Sequence, residues 1–249
     1  MKNTVIITQA RTGSSRFPGK VLTKTTSGKT LLDLHLHRLL KCKNVTEIVV
    51  ATTLNEVDDK IVHGLNHNNI LIFRGSEQNV LERYYFAAMG IKADIIVRVT
   101  SDCPLIDPIL VDEVIKEFSN KNVDYISNTQ NETYPDGQDI EVFSFKALEK
   151  CYLNATLKYH QEHVTPFIKE NPKMFKIACF DSKINYNHIR MTVDVEDDLK
   201  VIDQLIDDLG EDASWTEYKD SYLRKELSKI NGTQIRNEGL IKSIQNEQK

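Results

Sequence analysis

Short apolar runs recur through the first hundred residues, separated by stretches with the period of an amphipathic helix. The runs are Val5–Ile7, Ile48–Ala51, Ile70–Phe73 and Ile95–Val99, and the helical stretches are Leu31–Leu40, Asp58–Leu65 and Val80–Met89. Strands buried on both faces read as β-branched runs without alternation, so this order predicts βαβαβαβ with parallel strands. Right-handed crossovers then give an α/β, doubly wound, mostly parallel central sheet with helices on both faces. Beyond about residue 115 the pattern loosens. Tyr125–Ser127, Ile140–Phe143, Lys176–Phe180 and Met191–Val193 read as further strands. Thr133-Tyr134-Pro135-Asp136-Gly137 reads as a turn, and Ser144 as the cap of a helix. The tail from Trp215 is polar and helical.

Composition adds limits. The chain has 249 residues, 40% hydrophobic and 27% charged, which suffices for a core without metal or disulfide staples. A net charge of −4 argues against a nucleic-acid scaffold held by bulk electrostatics. The four cysteines, Cys42, Cys103, Cys151 and Cys179, include no C-x-x-C pair, so zinc or dithiol chemistry has no support, and free thiols fit a reducing cytoplasm. The apolar start is too short for a signal peptide, and no apolar stretch suits a membrane span.

Three segments carry chemistry. The first follows the first strand: Gln9-Ala10-Arg11-Thr12-Gly13-Ser14-Ser15-Arg16-Phe17-Pro18-Gly19-Lys20. Three cations, two glycines and three hydroxyl residues stand where α/β sheets bind ligands, and that mixture suits a triphosphate. It is not the G-x-x-x-x-G-K-[ST] loop, and a basic surface turn explains the composition equally well. The second, Thr100-Ser101-Asp102-Cys103-Pro104, puts a carboxylate at the end of the fourth strand, either as a turn former or as a ligand for Mg²⁺. The third, Arg190-Met191-Thr192-Val193-Asp194-Val195-Glu196-Asp197-Asp198, ends a short strand in Asp194 before an acidic helix start. Asp194 either caps that helix or joins Asp102 in a two-carboxylate metal site.

Taken together, the stretches Q-A-R-T-G-S-S-R-F-P-G-K, V-V-A-T-T, F-R-G-S-E-Q-N-V-L-E-R-Y-Y, S-D-C-P-L-I-D-P, Y-P-D-G-Q-D-I-E-V-F-S, E-H-V-T-P-F-I, T-V-D-V-E-D-D-L and I-R-N-E-G-L-I-K-S resemble the cytidylyltransferase family that includes 3-deoxy-manno-octulosonate cytidylyltransferase. They look most like the branch named after spore coat polysaccharide biosynthesis protein F. The resemblance runs in order over nearly the whole chain. It departs at Phe17, Ser101 and Val195, where Leu, Gly and Pro are usual.

The resemblance implies a Rossmann-like nucleotidylyltransferase fold and transfer of CMP from CTP to an acidic sugar or other anionic acceptor in surface polysaccharide synthesis. It implies a triphosphate held by Arg11, Arg16 and Lys20 with Thr12, Gly13 and Ser14. It puts Mg²⁺ on Asp102 and Asp194, and Arg74, Ser76 and Thr100 near the nucleoside. Arg11, Lys20, Asp102 and Asp194 would then carry catalysis. Residues 1–249 read as one domain, with 1–115 for nucleotide and 116–249 for acceptor and for contacts in a homodimer.

Tyr134, Asp139, Glu141 and His163 are candidates for the acceptor, with Arg190 as the cation for its negative group. Asp139 and Glu141, one residue apart on a strand, share a face and either bind hydroxyls or meet water. His163 is equally readable as structural, and His35, His37, His63, His67, His160 and His188 show no ligand spacing. Two other classes fit the fold. A nucleotide-sugar glycosyltransferase would carry a D-x-D pair, which Ser101-Asp102-Cys103 lacks. A silent binding module would lack a metal carboxylate, whereas both are present.

Overall fold

A computed structural model describes residues 2–65 and 69–247. His67 lies outside the described residues. The first strand, β1 (Thr4–Gln9), is followed by α1 (Leu31–Leu39), β2 (Glu47–Thr53), α2 (Asp59–Gly64), β3 (Ile70–Gly75), α3 (Val80–Gly90) and β4 (Ile95–Thr100). Every expected element of this half forms. α4 (Pro108–Asn120) comes next; the Asp107 carboxylate caps it by accepting from the amides of Ile109 and Leu110, and Pro108 stands in its first turn. Then come β5 (Tyr125–Ser127), β6 (Glu141–Ser144), α5 (Phe145–Asn154), α6 (Lys158–His163), α7 (Pro166–Glu170) and β7 (Ile177–Cys179). The remainder is helical: α8 (Glu196–Leu209), α9 (Trp215–Arg224), α10 (Ser228–Asn231) and α11 (Glu238–Glu247). Ser144 caps α5 as its position predicts, accepting from the Ala147 amide at 3.1 Å. Among the described residues no helix is long and apolar enough to cross a membrane.

The sheet runs β3-β2-β1-β4-β6-β5-β7. All pairings are parallel except those of β6, which runs against β4 and β5. β1 lies between β2 and β4, so the chain leaves the sheet in opposite directions from its middle. The loops after β1 and β4 therefore open side by side, with Gln9 paired to Thr100. One face is covered by α1 and α4, through residues such as Leu36, Val111 and Val114. The other is covered by α3 and α5, through Tyr84, Ala88 and Leu148.

One expected strand does not form. Ile189, Met191 and Val193 are apolar because they pack beneath α8 and α9 in a third core. Their backbone pairs with loops rather than with a strand: the amide of Met191 donates to Asp136 O at 2.7 Å and that of Val193 to Asp102 O at 2.8 Å. Gly137 permits this approach. At φ +106° it lies where a Cβ would sit 2.6 Å from the carbonyl carbon of Met191.

His35 connects α1 to the β4 loop. Fully buried, it bonds the Cys103 carbonyl through Nδ1 at 2.9 Å and the Thr8 hydroxyl through Nε2 at 3.1 Å. The carbonyl can only accept, so Nδ1 carries the proton and Nε2 accepts. Burial lowers its pKa from 6.5 to about 4. The unfolded chain therefore takes up the proton first, and the stability from a neutral His35 is complete above pH 6.5 and lost as pH falls toward 4. The loss reaches about 3 kcal/mol at the acid end of that window. We expect urea midpoints of the wild type to fall more steeply across this window than those of His35→Gln. Parallel pH profiles would show that His35 is not held neutral.

Candidate active site

The loop after β1 folds on itself. The amides of Ser14 and Gly19 both donate to Thr12 O, at 2.9 and 2.8 Å. The Thr12 amide and hydroxyl both donate to Asp58 at 2.7 Å, and Asp58 also accepts from the Thr53 hydroxyl. This clamps the loop to the end of β2. From the clamped loop three cations leave in different directions. Arg11 is half-exposed and 3.6 Å from Glu77. Arg16 donates to Asp194 at 2.9 Å and to Glu238 at 2.7 Å. Lys20 turns inward, is 8% exposed, and gives its three hydrogens to Asp102 (3.0 Å), Asp194 (2.9 Å) and Val193 O (2.7 Å).

Asp102 and Asp194 thus converge on one ammonium group. For Asp102, burial opposes the charge, but Lys20 outweighs it and holds the carboxyl well below the usual range. Burial likewise works against the Lys20 ammonium, and the two aspartates raise its pKa overall. The hydroxyl of Ser101, where glycine is usual in the resembling motif, donates to Gln9 O at 2.6 Å and ties the ends of β1 and β4 together.

A cavity of about 750 Å³ opens beside this pair. Arg16, Thr100, Asp102, Asp139, Glu141, His163 and Asp194 line it, together with part of α11. Nine of the expected residues do not line it: Arg11, Thr12, Gly13 and Ser14 stay in the clamped loop, and five more stand elsewhere. Arg74 is bound to the carbonyls of Thr53 and Asn55 and to Asp59. The Ser76 hydroxyl accepts from the Asn79 amide. Lys20 lies behind the aspartates rather than in front of them.

Tyr134 is buried against Phe180 and Trp215 in the core, so it does not face an acceptor. Arg190 is 5% exposed and fully engaged. It holds Asp198 through two bonds (2.8 and 2.9 Å), Asp136 at 2.6 Å and Asp194 at 3.0 Å. Its place is behind the site, where it fixes Asp194, and the expectation that it meets a negative group on the acceptor is corrected.

The two acids expected on one strand face both line the cavity, but their partners differ. Asp139 precedes β6 and is bound by Arg236. Glu141 opens β6 and is 2% exposed. Burial works against its charge, yet Lys169 and Arg98 keep its carboxyl well below the usual range. His163 is neutral: burial lowers its pKa to about 4, and Nε2 meets the Ser243 hydroxyl at 3.1 Å.

Four residues escaped the reading of the sequence. Arg98 and Lys169 line the cavity, as does Glu238, and Arg236 stands behind it. Arg98 left a signal, since a charge inside the run Ile95-Ile96-Val97-Arg98-Val99 needs a buried partner. Arg236 and Glu238 lie in the I-R-N-E-G motif, but nothing in that motif says where it docks.

The model of the cytidylyltransferase family matches residues 5–229. An uncharacterised protein of Methanocaldococcus jannaschii is 42% identical over 197 residues, covering 78% of this chain and 79% of its own. The spore coat polysaccharide biosynthesis protein SpsF of Bacillus subtilis is 31% identical over 223 residues, 85% and 89% of the two chains. The structure of a cytidylyltransferase from Leptospira borgpetersenii superposes with a TM-score of 0.88 at 32% identity, over 95% of this chain and 100% of that one.

The network around Arg190 predicts its own failure. Arg190→Met strands the carboxylates of Asp136, Asp194 and Asp198, and removing one partner of such a buried network typically destabilises by about 3–5 kcal/mol. We expect the urea midpoint to fall accordingly. A variant as stable as wild type would show that the network does not support the site.

Proposed function

Because the chain belongs to the cytidylyltransferase family, we propose that it transfers CMP from CTP to a hydroxyl of an acidic sugar or related anionic acceptor, releasing pyrophosphate, in the assembly of surface polysaccharide. The observation that carries this reading is the convergence of Asp102 and Asp194 at the wall of a cavity that Arg16 also lines. The cavity volume lies in the range of small-molecule sites. The likeness to the spore coat polysaccharide protein supports the role in polysaccharide synthesis. Residues 1–115 contribute most of the nucleotide side in this reading, and residues 116–249 the acceptor side.

The pair of aspartates fits a hard divalent cation. Both carboxylates reach the same ammonium group, at 3.0 and 2.9 Å. Mg²⁺ commonly takes one or two protein carboxylates and fills its shell with phosphate oxygens and water. Asp102 and Asp194 would hold it, and when bound it would neutralise charge developing on the α-phosphate.

The chain's own residues do the rest. Arg16, a partly exposed cation at the cavity next to Asp194, binds the outer phosphates and steadies pyrophosphate as it leaves. Arg11 and the amides of the clamped loop add to that cradle. Lys20 keeps the two aspartates together when the site is empty. The acceptor hydroxyl gives up its proton to solvent and its oxygen bonds to the α-phosphorus as the bond to the bridging oxygen breaks and pyrophosphate leaves. No covalent enzyme intermediate is needed, so positioning and charge stabilisation supply the rate.

We expect pyrophosphate release with CTP, and little with UTP, GTP or ATP, across a panel of acidic sugars. Asp102→Asn and Asp194→Asn should each abolish it while the circular dichroism spectrum stays that of the wild type. Arg16→Ala should weaken CTP roughly ten- to a hundredfold and CMP far less, because its partners are the outer phosphates. Full turnover in either aspartate variant, or equal losses for CTP and CMP, would sink the assignment concerned.

A further inference from the structure

The last helix runs along the cavity, from the loop after β1 to α6, on few attachments. α11 has no buried residue, although Leu240 and Ile244, one turn apart, line the cavity. It lies wholly beyond residues 5–229, the part that the family model matches. Polar contacts hold it down. The Ser243 hydroxyl donates to Glu162 at 2.9 Å and meets Nε2 of His163 at 3.1 Å, and Glu247 accepts from the Lys158 amide at 2.9 Å. Just before the helix, Asn237 donates to Glu132 at 2.6 Å. Elements attached in this way, with exposed bonds and little apolar burial, open at small cost.

The helix meets the site through its first residue. Nη1 of Arg16 donates to Glu238 at 2.7 Å, and Nη2 of the same guanidinium reaches Asp194 at 2.9 Å. Both Nη groups of this cation are thus taken by carboxylates, one from the site and one from α11. Glu238 has a second partner on its own helix, Lys242 at 2.6 Å, so it can release Arg16 without stranding its charge. The chain also has a pivot here. Arg236 is anchored by donating to the Tyr134 carbonyl at 3.0 Å and by its ion pair with Asp139. Asn237, the next residue, sits at φ +57° and turns the chain sharply before the helix begins.

We propose that α11 is a displaceable strap, and that Glu238 competes with the outer phosphates of the nucleotide for Arg16. The proposal rests on the CMP-transfer reading above, which puts those phosphates on Arg16. A terminal phosphate offers a guanidinium the same two-oxygen face as a carboxylate, with more charge, so it displaces Glu238. The strap then loses the contact that pins its start, and the wall that Leu240 and Ile244 supply comes away. A docked strap therefore lowers the apparent affinity for CTP by the fraction of molecules in which Glu238 holds Arg16. CMP, which has no outer phosphates, is indifferent to it.

The test uses the full-length protein with Mg²⁺. Calorimetry gives the Kd for CTP and for CMP in the wild type, Glu238→Gln and Ser243→Ala. The first variant removes the competing charge, and the second loosens the helix without changing any charge. We expect both to tighten CTP roughly three- to fivefold and to leave CMP unchanged. Hydrogen exchange of the α11 amides should quicken when CTP is added to the wild type.

An unchanged Kd for CTP in both variants overturns the proposal while the transfer reading stands. So does tightening in only one of them, since a gain in Glu238→Gln alone is charge repulsion acting without the helix. Equal tightening of CMP overturns it as well. Slower exchange in α11 with CTP overturns it too, by making the helix a lid that closes on the nucleotide. Failure of the wild type to bind CTP overturns the transfer reading and the proposal together.

Discussion

A single ammonium group joins three parts of the chain that are far apart in sequence. Lys20 reaches Asp102, 82 residues on, and Asp194, 174 residues on, and closes the third contact on the Val193 carbonyl. Two carboxylates this close repel each other, and taking them partly out of water adds a desolvation cost. Lys20 offsets both terms from one side, and Arg190 offsets them for Asp194 from the other. The site is therefore assembled before any ligand arrives, and the wall facing the cavity stays open. The same lysine is an anchor for the fold, since it ties the loop after β1 to the segment that packs under α8 and α9.

The parts of the fold that could be read from sequence are those whose burial is one-dimensional. β1, β2 and β4 are covered on both faces, so each appears as an apolar run, while β3 at the sheet edge is as apolar but leaves Leu71 and Ile72 exposed; the helices between them show one apolar stripe. The segment 189–193 breaks the rule. It is as apolar as a strand, but its cover is a pair of helices, and its amides find loop carbonyls. Apolarity reports burial there and not backbone pairing.

Among the site residues, sequence could point to side chains that sit beside a strand end, as Asp102 does. It could not tell a polar residue that serves a ligand from one that serves the protein. Tyr134 and Arg190 stand in motifs with the look of a binding site, and the structure spends both inward, one on aromatic packing and one on three carboxylates. Lys169 escaped for the opposite reason. It lies on a five-residue helix with no distinctive spacing, and only the reversed strand β6 brings Glu141 to meet it.

That reversal has a topological consequence. In a wholly parallel sheet, only residues at strand C-termini reach the mouth. Because β6 runs the other way, it delivers its first residue, Glu141, to the same mouth that β1 and β4 serve with their last. The stretch leading into β6 is tied to that mouth as well: Gly137 packs against Met191, and Asp136 holds Arg190, which in turn holds Asp194.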